Sequence, residues 1–181
     1  IYGEPAEFQP DADYQYSNTN YLLIGEILDR TLGYSHHEFI ATRILAPLQL
    51  YDTYSLFSEV DPDDVMSGYY VGYDPDLKTL EDHTRPGGSM VATATDVGVF
   101  VRALVDGSLL SAEEQAIYTS VYEYEHTGWV GGYTSIVRYH PDIDAVVGQF
   151  GNTSYDGLFW IERERVYRRI VEGLERGERD G

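Results

Sequence analysis

A hairpin near the C-terminal end constrains the fold most. Tyr133 to Tyr139 alternates in the manner of a strand, Pro141 to Asp144 supplies a turn, and Ala145 to Phe150 reads as a second strand. That pattern predicts two antiparallel strands with one face buried, closed by Gly151-Asn152. The cover for that face follows. From about Asp156 to Leu174 the sequence reads as an amphipathic helix with Phe159, Val166, Ile170 and Leu174 on one face, and Glu175 to Gly181 as a solvated end.

Upstream, the apolar period changes from two residues to 3.6. Ile1 to Tyr16 reads as extended or looped. Leu23, Ile24, Ile27, Leu28 and Leu32 then recur at helical spacing from Thr19 to Leu32, with Gly33 as the stop. Ser35 with Glu38 forms a capping box for a second helix through Leu45, ended near Pro47. Asp52 to Arg85 reads as irregular loops with one short strand. Thr93 with Asp96 opens a third helix, whose Val97, Phe100, Val101 and Leu104 share a face and whose end is Gly107. Ser111 with Glu114 opens a short fourth, and Ile117 to Glu125 reads as a strand. The order predicts an α+β fold, with a mainly helical lobe over 1–115 and, over 116–181, an antiparallel sheet covered by a C-terminal helix.

A chain of 181 residues, 43% hydrophobic, is long enough to bury a core. No apolar run reaches the roughly 18 residues of a membrane-spanning helix. There is no cysteine, so disulfides and thiolate metal sites are excluded. The 31 acidic and 12 basic side chains give a formal net charge of −19. Residues 157–181 hold six of each, so the imbalance lies upstream. Such a surface repels phosphate, and neither nucleic acid nor an anionic membrane is an expected partner. One lysine against eleven arginines fits adaptation to high salt as well as it fits an ordinary acidic exported protein.

Tyr16-Ser17-Asn18 and, about a hundred residues later, His126-Thr127-Gly128 carry the chemistry. A tyrosine and an amide on one turn, with a titratable residue ahead of Thr-Gly, are two corners of a serine acyl-transfer site. The third corner would be a serine three residues before a lysine. The only lysine is Lys78 and Pro75 stands three before it, so this chain holds no such nucleophile. A serine hydroxyl needs a neighbouring base. Tyrosine serves as one only where cations favour its phenolate, since its ordinary pKa is about 10. Taken alone, Ser17 and Asn18 equally suit helix capping, and a lone strand histidine is commonly structural.

Other candidates imply less. His36, His37 and Glu38 share a helix, but adjacent positions lie about 100° apart and do not converge on a metal. A solvated helix face is expected there. Asp61 to Asp64 and Asp74 to Asp76 lack the glycine and terminal glutamate of a calcium loop and read as turns. Gly87-Gly88 is not followed by Lys-Ser or Lys-Thr, so no phosphate cradle is implied. No metal or organic cofactor is expected.

Phe8-Gln9-Pro10, Tyr14, Tyr16-Ser17-Asn18 and Tyr21-Leu22-Leu23-Ile24-Gly25 resemble the second conserved block of serine β-lactamase-like hydrolases. Ile44-Leu45-Ala46-Pro47-Leu48 with Asp52-Thr53, then Pro86-Gly87-Gly88-Ser89-Met90-Val91-Ala92-Thr93 with Asp96, resemble later segments of that family. His126-Thr127-Gly128 with Gly132-Tyr133, then Phe150 to Asn152, resemble its third motif and the strand end that follows. The set stands in family order over nearly the whole chain. It is most similar to class C β-lactamases, D-Ala-D-Ala peptidases and carboxylesterases.

The resemblance implies an extracytoplasmic protein and a missing N-terminal segment, holding the Ser-x-x-Lys block, the first strands and a helix beside the last one. Their absence should leave a sheet edge and part of the final helix uncovered. It gives Tyr16 the part of base toward the nucleophile and then proton donor to the leaving group. Asn18, Thr127 and Gly128 become substrate-binding, Gly128 by letting the substrate approach the strand edge closely. His126 stands where lysine is common and supplies only partial positive charge near neutral pH. The Trp129 N–H becomes an oxyanion donor. Trp129 replaces the small polar residue usual in β-lactamases, so esters or short peptides are expected ahead of β-lactams. The span from Ser111 to His126 is shorter than the family's. Two functions fit ahead of a third, a salt-adapted structural domain that shares only the fold. One is part of a serine hydrolase cleaving an amide, ester or β-lactam bond, inactive by itself; the other is a non-catalytic relative that binds peptides or serves as an interaction module. Either way the partner is a small molecule or peptide.

Overall fold

The computed structural model describes residues 3, 5–79, 86–155 and 157–179. The segment ends placed above at Ile1, Arg85, Asp156 and Gly181 lie outside them. Helix α1 (Asn18–Leu32) is capped by Ser17, whose Oγ accepts from the Thr19 N–H, and it ends at Gly33 in the left-handed region (φ 77°). The predicted apolar spacing is present, yet Leu23, Ile24, Ile27 and Leu28 are exposed. The buried position is Gly25, where a Cβ would stand 3.0 Å from the Pro86 ring.

Helix α2 (His36–Ile40) widens into a π turn (Ala41–Leu45) instead of continuing as an α-helix to Leu45. Pro47 has no N–H to give the carbonyl four residues back. The wider turn instead directs the Ala46 N–H to the Ala41 carbonyl and the Leu50 N–H to the Leu45 carbonyl, both at 3.0 Å. Ser35 caps α2 through the His37 N–H, while the Glu38 N–H goes to the Ser35 main-chain carbonyl.

Two short strands, β1 (Thr53–Tyr54) and β2 (Tyr69–Tyr70), interrupt the loops where one was predicted. Strand β1 pairs antiparallel with β3 (Val91–Ala92). Helix α3 (Ala94–Asp106) starts at the Thr93 cap and stops at Gly107. Helix α4 (Ala112–Val121) opens with the Ser111–Glu114 capping box. It overturns the strand predicted from Ile117, because the box commits the chain to helix through Val121 and extended structure begins only at Glu125.

The hairpin is present as β5 (Tyr133–His140) and β6 (Ala145–Gly151), turned by Pro141–Ile143 with Asp144 left-handed (φ 43°). With β4 (Glu125–Val130) they form an antiparallel sheet in the order β4-β5-β6. Strand β7 (Thr153–Ser154) leaves that sheet to pair in parallel with β2. Helix α5 (Gly157–Arg179) covers the hairpin and runs past Leu174 as far as Arg179, into the stretch read above as a solvated end. Helix α3 lies against β5 and β6. Ile136 and Val137 point to opposite faces and both are buried, so the sheet is covered on two sides.

The α5 layer packs Ile136 and Val147 against Tyr167 and Val171, with Trp160 at its margin. The Tyr167 hydroxyl donates to the Val147 carbonyl at 3.1 Å and lies 2.8 Å from His140 Nε2. This face differs from the predicted stripe, of which Val166, Ile170 and Leu174 stay 47%, 43% and 45% exposed. The two stripes adjoin on the helix, and the rotation that buries Tyr167 combines the larger ring with hydroxyl partners on the sheet. Arg138 ties the layer together, paired to Glu164 of α5 at 2.7 Å and to Glu125 of β4 at 3.1 Å. Among the described residues, no helix is long and apolar enough to cross a membrane.

Candidate active site

Tyr16 sits just before the Ser17 cap, itself in extended backbone, and is 58% exposed. Its hydroxyl donates to Asn18 Oδ1 at 3.0 Å. Capping therefore falls to Ser17, and the Asn18 side chain is held by Tyr16 at the start of α1. The Tyr21 ring lies 6.0 Å from that of Tyr16.

The facing wall is β4. His126, Thr127 and Trp129 of that strand line the same cleft as Tyr16 and Asn18, a space of about 660 Å³. Gly128 pairs with Ser135 of β5. A Cβ there would meet the Ser135 Oγ at 2.6 Å, a contact that rotation of the serine hydroxyl relieves. Trp129 is 57% exposed and also lines a second, apolar space with Tyr70, Tyr73 and Leu77.

Val121, Tyr122, Glu123, Glu125 and Trp160 complete the cleft lining, and none was singled out from the sequence. Reading 117–125 as a strand hid Tyr122. The Ser111–Glu114 box, followed through to its helix end, places a tyrosine four residues before His126. Its hydroxyl is hydrogen-bonded to His126 Nδ1. Burial raises the Tyr122 phenol above the usual tyrosine range, and the neighbouring Tyr21, Tyr118, Tyr14 and Tyr16 add to the rise. Tyr21 is raised likewise, by burial and then by Tyr16. Among the described residues, no lysine or arginine lines the cleft, whose acidic side chains are Glu123 and Glu125. The cations that would favour a tyrosine phenolate are not part of this lining.

The weaker candidates serve the scaffold. His36 and His37 are not a solvated face: their rings lie 4.0 Å apart, with His36 Nδ1 2.8 Å from Asp29 and His37 Nδ1 2.7 Å from the buried Ser55 hydroxyl. They anchor α2 to α1 and to the Ser55 loop, and burial holds His37 below the usual histidine range. Asp61 and Asp76 accept backbone N–H groups within turns. Lys78 Nζ donates to the Pro62 and Val65 carbonyls. Among the described residues, no three His, Asp or Glu side chains converge as metal ligands.

The family described as Beta-lactamase matches residues 1–123, a span that stops short of His126. Among solved structures, D-amino acid amidase from Ochrobactrum anthropi SV3 superposes with a TM-score of 0.74 at 23% identity, over 91% of this chain and 63% of that one. The penicillin-binding protein of Bacillus halodurans gives 0.74 at 18% identity, over 95% and 59%. A D-stereospecific amidohydrolase from Streptomyces sp. gives 0.69 at 20%, over 83% and 53%. At these identities the likeness is one of fold: a β-lactamase/transpeptidase-like arrangement of helices and antiparallel sheet. The chain spans 53% to 63% of the length of these three proteins.

Proposed function

The chain belongs to the Beta-lactamase family, and from that premise we propose that it is part of a serine hydrolase working through an acyl-enzyme on amide or ester bonds. One observation carries the reading: Tyr16 and Asn18 share a cleft with His126, Thr127 and Trp129, although the two groups lie about 110 residues apart in sequence.

In this reading the nucleophilic serine lies in sequence outside this chain. Its oxygen attacks the substrate carbonyl carbon while Tyr16, acting as its phenolate, takes the hydroxyl proton and becomes the neutral phenol. A cation from that same outside sequence lowers the cost of the transfer, which the acidic rim does not do. The Trp129 N–H donates a hydrogen bond to the developing oxyanion. Tyr16 then returns the proton to the departing amine or alkoxide, and water opens the acyl-serine. Asn18 holds a substrate carbonyl, and His126 with Thr127 faces the substrate's polar end. The bulk of Trp129 favours open-chain amides and esters over β-lactams, and the likeness to a D-amino acid amidase makes D-amino acid amides the first substrates to try.

Several open features suit a joining segment. Strand β6 has one strand neighbour among the described residues. Val166, Ile170 and Leu174 are exposed on α5. The Nε and Nη2 of Arg163 and the Oε1 of Gln149 are buried without hydrogen-bond partners.

The test is covalent labelling of the complete protein with a serine-reactive phosphonate or a fluorescent penicillin. Tyr16→Phe is expected to lower kcat by about 10²–10⁴-fold. Full turnover in that variant would remove Tyr16 from the mechanism. A complete protein that never labels but still binds peptides would replace the hydrolase with a non-catalytic binder.

A further inference from the structure

We propose that Tyr122 is a positioning residue that fixes His126 as its Nε2–H tautomer, so that the cleft is offered an N–H donor whether or not the imidazole is charged. The inference rests on the reading of His126 as a residue of the substrate site.

The connector between α4 and β4 is built to deliver this hydroxyl. Tyr122 closes α4, its N–H bonded to the Tyr118 carbonyl at 2.8 Å. The Tyr118 ring meets Tyr122 edge-on at 6.0 Å and stacks on Tyr124 at 5.5 Å. The Tyr118 hydroxyl donates to the Glu123 carbonyl at 3.1 Å. Residues 122–124 are thus braced by aromatic rings, and the Tyr122 hydroxyl arrives at His126 Nδ1.

The direction of that bond follows from the groups involved. The Tyr122 hydroxyl has no other hydrogen-bond partner among the described residues, so its proton is directed at Nδ1, which accepts. The neutral ring then carries its proton on Nε2. The carboxylate next in sequence does not compete for the ring, because Glu125 is paired to Arg138 at 3.1 Å. No contact to Nε2 occurs among the described residues' hydrogen bonds, which leaves that nitrogen for a bound molecule. A lysine would need its charge to act here, whereas this arrangement offers a directed donor from a neutral side chain.

The experiment is nitrogen NMR of this chain labelled at histidine, with the His126 signals identified by their loss in His126→Gln. Native chain is expected to show an unprotonated Nδ1 and a protonated Nε2. Tyr122→Phe keeps the ring and removes the donor, and the Nδ1–H form should rise several-fold. Tyr118→Phe removes a hydroxyl from the same cluster without touching His126 and should leave the tautomer balance unmoved. A proton on Nδ1 in the native chain overturns the proposal. So does a balance that Tyr122→Phe leaves unchanged, or that Tyr118→Phe moves equally. Failure of the phosphonate to label the complete protein would sink the hydrolase reading while moving none of these spectra, so the two are separable.

Discussion

Helix α5 meets two different surroundings along one length. On the side of Tyr167 and Val171, apolar surface lies against Ile136 and Val147, and the polar atoms find partners: Tyr167 with Val147 and His140, Glu164 with Arg138. About 90° around the same helix, Val166, Ile170 and Leu174 face outward, and Arg163 keeps a half-buried guanidinium over Phe159 with two nitrogens unpaired. Burial lowers the Arg163 pKa, the reverse of Arg138, which Glu164 raises. Amphipathicity selected a helix here, but the sheet selected which stripe it receives. A stripe of aliphatic side chains beside an unsatisfied cation is a surface that a further element would complete.

The sharpest break of this contrast is Tyr167→Ala. Removing a ring that is 1% exposed is expected to cost about 3–5 kcal/mol in urea unfolding. A loss below about 1 kcal/mol would mean the two sides are not different in kind.

Arg138→Met comes next, at about 2 kcal/mol, since it leaves Glu164 and Glu125 without their cation. The same pair fixes a pH dependence. The Arg138 guanidinium holds the Glu164 carboxyl below its ordinary value of 4.5. A depressed folded pKa stabilises above the unfolded value and is lost as pH falls through the folded one. The urea midpoint should therefore fall with pH below about 4.5, and Glu164→Gln should make that fall shallower. An unchanged acid slope in Glu164→Gln would remove this pair from the explanation.

The smallest effect belongs to the outward stripe. Ile170→Ser is expected to change the stability of this chain by less than about 0.5 kcal/mol. If it costs as much as Arg138→Met, the stripe is already covered and the contrast fails.

These tests bear on what the sequence could convey. The hairpin, α1, α3 and the opening of α4 were legible because each is written locally, in alternation, caps and stops at Ser17, Thr93, Ser111 and Gly107. The strand predicted over 117–125 failed because α4 has little apolar contrast along its length. The buried face of α5 was misread since Tyr167 counts for less than Ile170 or Leu174 in an aliphatic pattern, although its ring fills the core and Trp160 packs at the margin. The pairing of β2 with β7 joins Tyr69 to Thr153, and no local pattern reports a contact so distant in sequence. At the site, Tyr16, Asn18 and His126 were visible as motif residues, whereas Tyr122 belongs to no motif and appears only through its bond to His126.

The cleft also holds the chain's only two tryptophans, Trp129 from β4 and Trp160 from α5. All indole emission from this chain therefore originates at the one cavity where a ligand is expected. Intrinsic fluorescence becomes a label-free occupancy signal, with Trp129 reporting from the exposed rim and Trp160 from the margin of the core.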